Sequence, residues 1–292
     1  MENGHVSEKE YSMKKRVLII AILSIACLAL CLIVFTTVVR PKVTGVKSLA
    51  AANIRAQSKV KSYHMDGDVN IDITLDYDEL QSIEDKLNLK LPVIMSLSAD
   101  AGRESAHVIT DAGITILGEN ITLQTSESYL DIKNKAVYSK TGEPPQWKKS
   151  GDQADQMGFR ELVGGIAIAG KTVLENATYY ENEEFYTLTM PAEKTGDIVK
   201  DLHLLDRIDI GIADLRDITV EGGRIVYNVD KTTLLVSSVE LKDVDCRGKG
   251  TYEDTSVDLR FSVNGAFLFS RYDELEESEY MIPVEVTENN GV

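Results

Sequence analysis

The sequence predicts an α+β fold: a large antiparallel β-sheet forming an incomplete barrel covered by helices, preceded by one transmembrane helix. Three observations predict it. Val17–Val39 contains no charged residue. Tyr63–Asp76 alternates strictly between apolar and polar residues, the period-2 signature of a strand with one wet face. That alternation returns in several later segments, whereas apolar residues recur at helical spacing in only three others.

The apolar segment comes first. At 1.5 Å rise per residue, Val17–Val39 makes a helix of roughly 34 Å, long enough to cross a hydrocarbon core of about 30 Å. Lys14, Lys15 and Arg16 abut its start. Basic residues stay on the cytoplasmic side, so residues 1–16 are expected inside as a short tail and residues 40–292 outside as one extracytoplasmic domain. Arg40, Lys42 and Lys47 pull the other way. A cleaved leader would have a shorter apolar core. A lipidated Cys27 behind Ala26 is the competing reading, but apolar residues continue well past it, and Ser24 stands where a larger apolar residue is usual.

The exposed part opens with an amphipathic helix over 43–61, with Val46, Leu49, Ala50, Ile54 and Val60 at helical spacing. In the strand that follows, Met65, Val69, Ile71, Ile73 and Leu75 face one way and Asp66, Asp68, Asn70, Asp72 and Asp76 the other. Val93, Met95, Leu97 and Ala99 repeat the pattern. Short strands are expected at Ala106–Thr110, Ile114–Leu117, Ile121–Thr125, Tyr129–Ile132 and Ala136–Ser139, punctuated by Gly, Asn and Asp. Thr141–Ser150, with Pro144, Pro145 and Trp147, reads as a loop. A helix follows, with Asp152 as a cap and Phe159, Leu162, Val163, Ile166 and Ala167 on one face. Thr172–Tyr180 and Phe185–Met190 form a hairpin, and Ala192–Leu205 a helix. Ile208, Ile210 and Ile212 fit strand or helix. Arg224–Val229, Thr233–Val244, Ser256–Val263 and Phe267–Tyr272 return to strands, and Tyr280–Val292 reads as extended and polar.

Charge narrows the partners. The chain of 292 residues carries a formal charge of -16, and its first 42 residues hold 6 basic and 3 acidic side chains, so the remainder carries about -19. A domain this acidic repels nucleic acid and anionic lipid headgroups. Two of the three cysteines, Cys27 and Cys31, lie in the apolar segment, so Cys246 has no disulfide partner in the domain and no cysteine cluster exists for zinc. His5, His64, His107 and His203 are scattered. No metal, cofactor or catalytic residue is expected.

Several motifs are formal matches only. Gly165 to Thr172 fits the phosphate-cradling G-x-x-x-x-G-K-[ST], but a helical pattern precedes it and strand-like sequence follows, the reverse of the strand–loop–helix that the chemistry requires. A helix ending at Gly170 explains it better. Lys140-Thr141-Gly142 and Lys194-Thr195-Gly196 both fit K-T-G, and Ser58–Lys61 fits S-x-x-K, but the S-x-N match at Ser262–Asn264 follows them instead of preceding. The acids Asp66, Asp68 and Asp72 lack the Gly and Glu of a calcium loop, whose places are taken by Ile71 and Tyr77. Asn120-Ile-Thr122 and Asn176-Ala-Thr178 have the form of glycosylation sequons.

Three segments in a fixed order carry a resemblance: Tyr129–Tyr138 followed by Gln146-Trp147-Lys148, then Val229–Leu235, then Ile282–Val286. With the preceding helix and long strands, the chain from Val46 to Thr287 resembles the LolA/LppX–LprG-like envelope proteins, and more closely the poorly characterised Gram-positive lipoprotein-like domains of that group. The resemblance implies an antiparallel half-barrel closed by helices around an apolar cavity that takes an acyl chain, lipid or other apolar ligand. Val69, Ile71, Ile73, Met95, Leu97, Phe159 and Ile166 are the candidate cavity walls. A membrane span in place of a clear lipid-modified cysteine departs from the family and argues against a diffusing carrier. The function expected is a membrane-anchored extracytoplasmic binding domain, not an enzyme. The alternative is an interaction or sensory module of the cell envelope, with an envelope protein as partner and a half-barrel filled by its own side chains.

Overall fold

The structure, a computed structural model, describes residues 43–76, 89–116, 119–134, 136–141, 145–150, 175–194, 212–252 and 255–288. The chain divides into two units, Met1–Thr44 and Gly45–Val292. Val17–Val39 lies outside the described residues. Among the described residues no helix is long and apolar enough to cross a membrane.

The second unit opens with α1 (Val46–Gln57). Six strands follow: β1 (Ser62–Asp76), β2 (Leu89–Gly102), β3 (Ser105–Ile116), β4 (Glu119–Asp131), β5 (Ala136–Thr141) and β6 (Gln146–Ser150). Five more come later: β7 (Thr178–Glu181), β8 (Phe185–Pro191), β9 (Ile212–Asp230), β10 (Val236–Tyr252) and β11 (Thr255–Ser270). Two short helices, α2 (Glu277–Tyr280) and α3 (Val284–Glu288), end the described chain. All eleven strands form one sheet in the order β6-β5-β4-β3-β2-β1-β11-β10-β9-β8-β7. The described pairings are antiparallel. It is thus two meanders joined where β1 pairs with β11. The outer strands β6 and β7 do not pair with each other, so the sheet is not closed.

The period-2 pattern of β1 explains its place at the centre. Met65, Val69, Ile71 and Ile73 are buried, while Asp66, Asp68, Asn70 and Asp72 are exposed. A one-residue slip against either neighbour would bury the acids, so the alternation fixes the register Ile71↔Val93 and Ile71↔Val263. Pro92 is tolerated in β2 because β3 pairs only from Val93 onward, leaving that end of β2 with β1 alone.

Several strands are longer than their sequence signals, β9 and β10 among them. β3, β4 and β11 each unite two segments that read as separate. The apparent breaks are glycines and polar residues that mark close approach and bulging instead of chain ends. A Cβ on Gly113 would lie 2.3 Å from the Ile121 carbonyl oxygen, where the register with β4 shifts. One on Gly265 would lie 2.7 Å from the Asp68 carbonyl oxygen. Gln146–Ser150 is also a correction. It reads as a loop because of its prolines, yet it is β6, paired Lys140↔Trp147; Pro145 precedes the strand and removes none of its amide donors.

The C-terminal segment is neither extended nor wholly polar. Val286 is 1% exposed and packs on Ala136 and Tyr138, with Tyr129, Trp147 and Ile282 around them. The Tyr280 ring occupies the space above Gly102. A single apolar side chain every few residues sufficed to dock the segment, too sparse a pattern to show as periodicity. The expected N-terminal helix is α1, which turns Leu49, Ala50, Ala52 and Asn53 inward, although Ile54, expected inward, is exposed. The helix expected after Asp152 lies outside the described residues. So does that over 192–205, save Ala192–Lys194, which form one 3-10 turn. Ile212 opens β9; Ile208 and Ile210 lie outside the described residues.

Candidate functional site

The inner face of the sheet is apolar across seven strands. One row reads Leu188, Tyr227, Val239, Phe267, Gly67, Leu97 and Thr110 from β8 to β3, each paired with the next. The adjoining row reads Met190, Ile225, Leu241, Gly265, Val69, Met95 and Ala112. Beyond them lie Val244, Val263, Ile71 and Val93, then Cys246, Phe261 and Ile73. Five candidate wall residues, Val69, Ile71, Ile73, Met95 and Leu97, therefore stand on one face of two paired strands, and all are buried. Phe159 and Ile166 lie outside the described residues.

Relief on this face comes from alternating bulk. Gly67 leaves room that the facing Phe267 ring fills; a Cβ there would meet the ring at 2.6 Å. Ala99, Ala101, Ala106 and Ala112 keep β2 and β3 low, while Tyr227, Phe267 and Phe269 rise on the other side. The sequence pattern of β9 carried Ile225, Tyr227 and Val229 at period 2, the signal that would have placed them with the wall residues.

Buried polar atoms interrupt the apolar interior, among them those of Tyr227 and Asn53. The Tyr227 hydroxyl is fully buried and makes no hydrogen bond; burial pushes its pKa well above that of an ordinary tyrosine. Asn53 donates through Nδ2 to the Leu234 carbonyl at 2.8 Å, but its buried Oδ1 accepts nothing. Leaving such a group unsatisfied costs about 1–3 kcal/mol. Cys246 is buried here too, and burial beside Asp245 and Glu221 pushes its thiol up to about 12. It stays protonated at neutral pH and offers no thiolate nucleophile.

The outer face is hydrogen-bonded and charged. His64 meets Asp100 at 2.7 Å and Asp66 at 3.0 Å. Burial alone would lower its pKa, but these two carboxylates outweigh it and hold the imidazole above the usual value. Across β2, His107 stacks on Tyr129 at 4.5 Å and meets Glu127 at 3.2 Å. Lys140 donates to Glu127 at 2.9 Å and lies over the Trp147 ring. Burial works against Glu127's ionisation, yet Lys140 and His107 hold its pKa below the usual range. Asn228 accepts from Thr187 and donates to Ser238 and Glu240, each at 2.9 Å.

The formal motifs do not converge. Lys140 is bound to Glu127, Ser58 donates to the Arg55 carbonyl at the end of α1, and Ser262–Asn264 lies on β11. Gly165 to Thr172 lies outside the described residues. Among the described residues no group of three or more His, Cys, Asp or Glu is placed to hold a metal. What the arrangement offers chemically is apolar burial on one side and solvated acids on the other.

These features define a class: an open, eleven-stranded antiparallel sheet protein with one apolar face and few described helices. No protein-family model matches the chain, and no curated protein matches it. Among solved structures it is similar to a β-barrel-like protein of a domain of unknown function, DUF1849, from Brucella abortus, at 8% identity over 72% of this chain and 98% of that chain, with a TM-score of 0.20. A score that low transfers neither site nor ligand.

Proposed function

We propose that this protein is a binding domain whose apolar sheet face takes a lipid, acyl chain or other apolar ligand. In this proposal Val17–Val39 anchors it in the cell membrane, with Lys14, Lys15 and Arg16 inside and the sheet outside. Kinship with the LolA/LppX–LprG-like group belongs to the same proposal, supported by the order of the shared segments. The observation that carries the reading is the apolar face running from β8 to β3 with an unsatisfied Tyr227 hydroxyl within it. An amphiphile would bury its chain against the face at roughly 25 cal/mol per Å2 and bring a polar group for the hydroxyl. A fixed anchor suits holding or presenting a ligand at the membrane, not ferrying it.

The test is organic extraction and mass spectrometry of the full chain purified in non-ionic detergent, beside Ile71→Trp and Leu97→Trp. Each added ring stands on the apolar face but leaves the anchor unchanged. Loss of a co-purifying lipid in both variants, with melting temperature held, supports the ligand. Unchanged lipid would mean bilayer carry-over at the anchor. A loss of about 1–3 kcal/mol in both, with no lipid in the parent, would mean a face filled by its own side chains.

That outcome belongs to the second reading, an interaction module without a ligand. One observation favours it: residues 119–125 of β4 are exposed on both faces, and β5 pairs with β4 only from Ser128 onward.

A further inference from the structure

The chain is acidic, yet its charge is not spread evenly. Residues 43–61 hold Lys47, Arg55, Lys59 and Lys61 and no aspartate or glutamate, in a chain of net charge -16. Most of that segment is α1, and the helix sorts its side chains by face. Leu49, Ala50, Ala52 and Asn53 are buried. Lys47, Ala51, Ile54, Arg55 and Ser58 are exposed and recur at helical spacing, on one stripe opposite the buried side. Lys59 and Lys61 continue the exposure past the end of the helix. Arg103, exposed just beyond β2, joins them: its guanidinium donates to the Ser58 and Val60 carbonyls, each at 3.0 Å. Among the described residues no carboxylate pairs with the side chain of Lys47, Arg55, Lys59 or Lys61. Asp273 is held at the start of β1 by the Lys61 and Ser62 backbone amides, not by a lysine ammonium.

We propose that this stripe of α1 lies on the membrane surface and contacts anionic lipid headgroups. The proposal rests on the anchor proposed above, though not on which side of the membrane the domain stands. Charge selects the occupant. Unpaired lysines and arginines on a helix are drawn to an anionic leaflet, whereas the acidic remainder of the domain is repelled by it. The same field that pushes the sheet away therefore turns α1 towards the lipid. Reach agrees with charge. Val39 and Val46 are seven residues apart, a span of roughly 25 Å at most, so an anchored chain keeps α1 near the headgroups at high effective concentration. Ile54 completes the stripe. It is 42% exposed among the cations, and an interfacial helix sets such a side chain into the boundary between headgroups and acyl chains while the flanking cations stay at the phosphates. Contact of this kind is mainly electrostatic and weakens as salt rises.

The experiment reads how close α1 lies to lipid in the full chain, reconstituted in nanodiscs in a Cys27→Ser, Cys31→Ser background; Cys246 is buried and stays. A fluorophore is attached at Ala51→Cys on the stripe or, as the control, at Ser96→Cys on the outer face of β2. It is quenched by lipid carrying a nitroxide on the headgroup, in phosphatidylcholine with and without phosphatidylglycerol. With phosphatidylglycerol present, quenching at Ala51→Cys is expected several-fold above that at Ser96→Cys. It should fall to the control level without phosphatidylglycerol, at high salt, or on adding Lys47→Glu with Arg55→Glu. All these positions are exposed, so melting temperatures should match the parent. Equal quenching at Ala51→Cys with and without phosphatidylglycerol would overturn the proposal, because the tether alone would then set the distance. So would quenching no greater than at Ser96→Cys in both lipids. A chain that does not co-elute with the nanodiscs would remove the anchor and the proposal with it, whereas one that co-elutes without responding to phosphatidylglycerol keeps the anchor and loses only the contact of α1.

Discussion

Ile71 and Asp72 are neighbours on β1, yet the first is wholly buried and the second exposed. The same division repeats along β2, β10 and β11, so the central strands have two faces with different physics. On the inner face each side chain is held by rows of apolar neighbours, and loss of volume leaves a cavity. On the outer face each is held by hydrogen bonds and ion pairs that water can replace. The difference teaches where stability resides and where tolerance to change should be found.

The largest effect is expected at Phe267. Its ring is fully buried and roofs Gly67 on the facing strand. Phe267→Ala removes the ring and bares the glycine, leaving a void that neither strand can collapse into. A loss of about 3–5 kcal/mol in denaturant unfolding is expected. A loss below about 1 kcal/mol would break the comparison, because the inner face would then be plastic.

Val286 tests the exception on the outer face. There the C-terminal segment crosses to Ala136 and Tyr138 and seals them with an apolar side chain. Val286→Ala should cost about 1–2 kcal/mol and speed hydrogen exchange in 284–288. No effect on either measurement would mean the segment is held by Tyr280 and the Arg271–Glu279 pair alone.

The contrast between faces was legible in the sequence where each strand alternates cleanly. Tyr63–Asp76 announced its strand and its wet face, because its four aspartates, Asp66, Asp68, Asp72 and Asp76, all fall on one side of the alternation. That Val69, Ile71 and Ile73 of β1 share a buried face, as do Met95 and Leu97 of β2, was legible for the same reason. Gly113 and Gly265 misled, since a glycine that ends a strand and a glycine that lets another backbone approach look alike without the partner strand. Val286 was illegible because its apolar partners, Ala136 and Tyr138, are some 150 residues away. The adjacency of Tyr227 to Phe267 was illegible too; it passes through β10, and pairing order across a sheet is not written in any one strand.

His64 sharpens the comparison through pH. Its proton is bound more tightly in the folded chain than in the unfolded one, because Asp100 and Asp66 outweigh the cost of burial. Its contribution is therefore fully present below the pKa of an unfolded histidine, about 6.5, and is lost as pH rises through the raised folded value. His64→Gln should flatten the stability profile in that window by less than about 1 kcal/mol, as befits a group that water screens. Parent and variant profiles that run parallel from acid to neutral pH would assign the titration elsewhere.

Asp68 is expected to have the smallest effect. It lies on the outer face of β1 opposite Ser96 and Ala266, exposed, with Asp66 two residues before it. Residues two apart on a strand share a face, so the two carboxylates repel, and only Asp66 has a described partner in His64. Asp68→Asn removes the repulsion and keeps the shape. Stability should stay the same or rise by up to about 0.5 kcal/mol, with the gain shrinking as salt screens the pair. A loss approaching that at Phe267 would mean that the outer acids are structural, and the division between the two faces would fail at its centre.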